Sequence, residues 1–114
     1  MQLDAGRLRD LQIFSQKELE EIGRGAIDAI AQQLVVLERA VGGRDFAAAG
    51  EAAHRARIEA LLVGARELGV AFQSTEDAAR EGSRSALGEA AASARALWPP
   101  AREAIARATY GPVG

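Results

Sequence analysis

The chain has 114 residues, 48% of them hydrophobic but only 4% aromatic, with fourteen basic against sixteen acidic side chains. These figures fit one domain, residues 1–114, whose core is built from Ala, Leu, Ile and Val, and they favour closely packed helices over a sheet. A net charge of −2 with both signs interspersed excludes a nucleic-acid footprint, and the lack of cysteine excludes disulfides, thiol catalysis and cysteine–zinc sites. No apolar run approaches the roughly 18 residues of a membrane span and no signal peptide is visible, so no membrane attachment is expected. The cytoplasm is the expected setting.

In chain order, residues 1–14 carry a short amphipathic segment with Leu3, Leu8, Leu11 and Ile13 as its apolar members. Ser15-Gln16-Lys17-Glu18 has the spacing of a capping box, in which hydroxyl and carboxylate satisfy free amides at a helix start. Phe14 and Leu19 stand at the positions of a hydrophobic staple. Ile27, Ile30, Leu34, Leu37 and Val41 then recur at 3 and 4 spacing, which predicts a core-facing helix over 15–41. Gly23 and Gly25 weaken its beginning, each by roughly 1 kcal/mol against alanine.

Gly42-Gly43 supplies the left-handed stop, and Asp45 caps a second helix over 45–63. A third is predicted over 65–81, with Leu68, Phe72, Thr75 and Ala79 inward, ending at Gly82. Ser83 caps a fourth over 83–108, which buries Leu87, Ala90, Ala94, Leu97, Ala101 and Ile105. Pro99-Pro100 is expected to kink or break it, because proline lacks the amide donor and clashes with the preceding turn. The tail from 109 to 114 is expected to fray. Short connections between long helices predict an all-α fold, an antiparallel up-and-down four-helix bundle with an extra N-terminal helical segment.

The second helix carries the only histidine. At roughly 100° per residue, Phe46, Ala49, Ala53, Ala56, Ala60 and Val63 form its apolar stripe, and His54 projects away from that stripe toward water. A neutral imidazole is nucleophilic and can carry a phosphoryl group covalently. Such transfer depends mainly on positioning and charge neutralisation, and Arg57, one turn on, has the planar fork that suits phosphate oxygens. Metal binding is disfavoured, since one histidine and no cysteine leave too few ligands. An ordinary exposed polar residue is the competing reading of His54.

Ala53-His54, Ala56 and the Val63-Gly64 pair resemble the motif of the histidine-containing phosphotransfer (HPt) domain family, with Arg57 where the family has lysine. The likeness extends to the upstream helix ending near Val41, the Gly-Gly-Arg-Asp turn and the segment from Glu76 to Ser83. It implies a phosphorelay intermediate, with His54 as phosphoacceptor and Arg57 as stabilising cation. The partners it implies are a response-regulator receiver domain and the sensor kinase of which such a domain is part. Arg55, Ile58, Leu61 and Arg66 would form the docking face, with Arg55 and Arg66 adding positive potential. No cofactor and no autonomous kinase activity are implied, because magnesium and acid chemistry belong to the receiver.

Ile58 departs from the family, which has glycine there. Four residues after His54, its β-branched side chain lies about 40° round the helix and would crowd the approach to the ring. Leu61 is large where the family tends to be small. An active carrier with a more apolar docking face and a degenerate HPt module that binds without transfer both accommodate this. A third possibility packs Ile58 and Leu61 under the N-terminal segment without functional meaning. A plain helical scaffold is the remaining alternative.

Overall fold

The computed structural model describes residues 1–111. Its elements are all helical: α1 (Ala5–Leu11), α2 (Gln16–Gly42), α3 (Phe46–Leu62), α4 (Arg66–Glu81) and α5 (Arg84–Thr109). Each of α2 to α5 packs on two of the others, in the cycle α2–α3–α4–α5–α2. The molecule measures 46 × 22 × 19 Å, and its long axis is about that of α2, at ~1.5 Å of rise per residue. No described helix is long and apolar enough to cross a membrane.

The helix starts are those the caps dictate. Ser15 Oγ accepts from the Glu18 amide at 3.2 Å while Glu18 Oε1 accepts from the Ser15 amide at 3.0 Å, a complete capping box. The Ser15 backbone bond first, and its hydroxyl second, hold the Glu18 carboxyl below the ordinary glutamate value. Asp45 caps α3 through the Ala48 amide, and Ser83 caps α5 through the Ala86 amide. α4 alone among these four has no side-chain cap.

Three helix ends share one hydrogen-bond pattern, in which an amide reaches back five residues: Asp45 to Ala40, Ala65 to Ala60, and Ser83 to Ala78. Each needs a left-handed residue. Gly64 (φ 78°) and Gly82 (φ 70°) supply two of them, but at the α2–α3 turn it is Arg44 (φ 57°), not either glycine of the Gly42-Gly43 pair. The expected glycine stop is therefore shifted by one residue onto a side chain that pays a steric cost.

Alanine dominates the interior. α3 buries Ala49, Ala52, Ala53, Ala56 and Ala60, and the large buried side chains, Phe72, Ile30, Leu37, Leu68, Leu87 and Ile105, come from the other three long helices. Ala52 widens the predicted stripe because α3 faces both α2 and α4. Phe46, Val41, Ala90 and Leu97, expected inside, are half-buried at the margin of the core.

Other expectations are corrected. Of the expected kink or break at Pro99-Pro100, the break does not occur, and α5 continues through both prolines. The prolines deprive the carbonyls of Arg95 and Ala96 of their intrahelical partners, but all four residues are exposed, so water can serve those oxygens. Ile13 is not an inward member of the first segment; it lies in the turn after α1 and is 84% exposed. Fraying does not begin at 109. Thr109 is buried, Gln16 Nε2 donates to its carbonyl at 3.0 Å, and the Arg24 guanidinium lies 5.6 Å from the Tyr110 ring centroid. Residues 112–114 of the expected frayed tail lie outside the described residues.

Candidate functional site: a histidine, an arginine and a glutamate on one helical seam

α3 and α4 run antiparallel. An added Cβ at Gly50 would touch Ala79, and one at Gly69 would press on Leu61, so small residues set this seam. Between those two points the seam brings His54 and Arg57 of α3 against Glu76 of α4. Glu76 Oε1 lies 2.8 Å from His54 Nδ1, and Arg57 Nε donates to Glu76 Oε2 at 2.8 Å. Arg57 Nη2 also lies 3.0 Å from His54 Nδ1.

Both neighbours of Nδ1 cannot bond it at once, since one only accepts and the other only donates. A carboxylate oxygen at 2.8 Å demands a proton on Nδ1, whereas Arg57 is already satisfied by the second carboxylate oxygen. We therefore assign the proton to Nδ1 and treat the Arg57 Nη2 approach as contact without a hydrogen bond. Nε2 is left as the unprotonated nitrogen, and it has no hydrogen-bond partner among the described residues.

Accessibility follows the same division. The His54 side chain is 48% exposed and Glu76 only 12%, so the orienting group is sheltered and the nucleophilic one is open. His54 lines a groove of about 350 Å³ that extends toward Ala47, Gly50, Ala79 and Arg80.

The remaining candidates are more scattered. Ile58 (52% exposed) and Leu61 (43%) lie beside His54 on α3, with Leu62 further round, and form an apolar patch. The N-terminal segment does not cover Ile58 and Leu61. It fastens to backbone beyond them, with Arg7 Nε on the Leu62 carbonyl and the Asp4 amide on the Gly64 carbonyl. Arg55 is tied to Glu51 at 2.5 Å, which spends its charge locally. Arg66 opens α4, ten residues before Glu76 and thus ~15 Å along the helix from the trio. At that distance physiological salt largely screens its charge from His54.

Glu76 was missed as a site residue, although its signal was present. A turn at Gly64 folds α3 back on α4, so residues nearly equidistant from that turn must face each other. His54 is ten residues before it and Glu76 twelve after. No protein-family model, curated protein or solved structure matches the chain.

Proposed function

We propose that this domain is a phosphocarrier of the HPt kind, an antiparallel up-and-down four-helix bundle with α1 as an added N-terminal element, that exchanges a phosphoryl group with receiver domains through His54 Nε2. The carrying observation is the 2.8 Å contact of His54 Nδ1 with the sheltered Glu76 carboxylate. It directs the ring's lone pair outward, where a donor can reach it.

The step balances without a proton transfer to solvent. The Nε2 lone pair attacks phosphorus, the bond to the donor's leaving oxygen breaks, and that oxygen keeps the electron pair. The Nδ1 proton stays in place, so the phosphorylated ring is cationic and Glu76 stabilises it. In the onward step a partner carboxylate oxygen attacks phosphorus, the P–N bond breaks, and its electron pair returns to Nε2 as neutral imidazole. Arg57, held by Glu76 one turn from His54, neutralises phosphoryl oxygens. The chain needs no metal of its own for this, because the partner supplies the acid chemistry. A cytoplasmic setting is part of the reading.

A second reading, an HPt-like module that binds without transfer, is favoured by one observation: Ile58 presents apolar surface one turn from His54, and Leu61 continues it about one turn further on. Incubation with a phosphorylated receiver separates the two. The carrier acquires acid-labile, base-stable label that His54→Gln abolishes without loss of fold, since the side chain is half exposed. A binding module acquires none, and Ile58→Glu weakens its complex.

A further inference from the structure

The groove beside His54 opens away from Ile58. Ile58 flanks the imidazole one turn toward the C-terminal end of α3, whereas Gly50 flanks it one turn toward the N-terminal end. On that side Ala47, Gly50 and Ala79 contribute small side chains to a groove also lined by Phe46, Glu51 and Arg80. Space is therefore available on the side where the sequence has its glycine.

Charge points to the same side. Arg57 and Glu76 cancel one another, so the trio with neutral His54 carries no net charge. A phosphoryl group brings about two negative charges, of which the retained ring proton offsets one. One further cation is wanted. Arg57 is bound to Glu76, Arg55 does not line the groove, and Arg66 is remote. Arg80, one turn beyond Glu76 on α4, lines the groove itself. Among the described residues it pairs with Asp77 at 3.4 Å, with Arg80 71% and Asp77 47% exposed, a pair weak enough to give way to a phosphate.

We propose that the phosphoryl group on His54 is received on the Gly50 side of the imidazole, with Arg80 joining Arg57 as its second cation. This rests on the phosphocarrier reading. Arg80 swings from Asp77 onto the phosphoryl oxygens as charge arrives, and the approach that Ile58 crowds is replaced by one along Ala47 and Gly50.

Phosphoramidate tests this on the full chain without any partner. Nε2 attacks its phosphorus, the P–N bond breaks, and ammonia leaves with the electron pair. The labelling rate and the half-life of the label are followed at low and high salt for the parent chain and for Arg80→Ala, Arg80→Lys, Ala47→Glu and, as a control far from the groove, Arg9→Ala. Arg80→Ala is expected to slow labelling roughly fivefold at low salt, with the gap closing as salt screens the charge. Arg80→Lys restores most of the rate, Ala47→Glu slows it, and Arg9→Ala matches the parent. A labelled parent with an unaffected Arg80→Ala, an equal loss in Arg9→Ala, or no rescue by lysine overturns the proposal while the carrier reading stands. A folded parent that takes no label on His54 overturns both.

Discussion

The α3–α4 seam and the α2–α5 seam are both antiparallel, yet they are built on different scales. Along α3–α4 glycine faces alanine and glycine faces leucine, and the side chains of His54, Arg57 and Glu76 meet directly across the outer edge. Along α2–α5 a close approach lies at one end, where Gly23 meets Thr109. Further along, an apolar groove of about 290 Å³ lies between them, lined by Leu34, Leu37, Val41, Gly88 and Ala91 and bridged by an exposed Glu38–Arg95 ion pair. Interhelical distance follows the size of the residues at the contact. The lesson is that alanine and glycine in the seam, as much as the polar residues themselves, allow a histidine on one helix to be oriented by a carboxylate on the next.

The close end of α2–α5 offers the sharpest test of that lesson. A Cβ at Gly23 would sit 1.9 Å from Thr109 Oγ1, and Thr109 is enclosed, so Gly23→Ala should destabilise by about 1–3 kcal/mol despite its better helix propensity. Gly25, two residues on, has nothing within 4 Å of an added Cβ, and Gly25→Ala should stabilise by about 1 kcal/mol. Urea unfolding of the two variants measures both. Equal effects would remove close approach as the reason for glycine at 23.

These two glycines also show where sequence reading stops. The spans of α2 to α5 were legible to within a residue, because Ser15, Asp45, Ser83 and Gly82 act locally and the hydrophobic period is long and regular, whereas the 1–14 segment narrowed to Ala5–Leu11. The outward direction of His54 was legible for the same reason. What spacing along one helix cannot express is contact between helices. Gly23 and Gly25 look alike until Thr109 arrives, and Glu76 is one carboxylate among sixteen acidic residues until the turn at Gly64 sets it opposite His54. Arg44 was missed because two adjacent glycines offered a cheaper left-handed residue that the hydrogen-bond register does not use.

That register makes a smaller prediction. Gly64 and Gly82 end α3 and α4 without strain, whereas Arg44 holds a positive φ in the equivalent turn. Arg44→Gly should stabilise by ~1 kcal/mol, read as a higher urea midpoint with unchanged slope. No gain would mean that the arginine side chain compensates for its backbone.

The smallest effect is expected at the capping box. Because folding lowers the Glu18 pKa, its contribution is present above the unfolded value and is lost as pH falls through the folded one. The parent should therefore lose slightly more stability on acidification than Glu18→Gln, which has no carboxylate to protonate. Matching acid titrations of the two would show that the box adds nothing dependent on charge.

The central claim is that Glu76 fixes the His54 proton on Nδ1 and leaves Nε2 to carry phosphate. Phosphorus-31 NMR of nitrogen-15-labelled protein, after treatment with phosphoramidate, addresses it directly. One phosphohistidine signal is expected, coupled to Nε2 of His54 and missing from His54→Gln. A signal coupled to Nδ1, or a folded protein that gives no phosphohistidine signal, would contradict it.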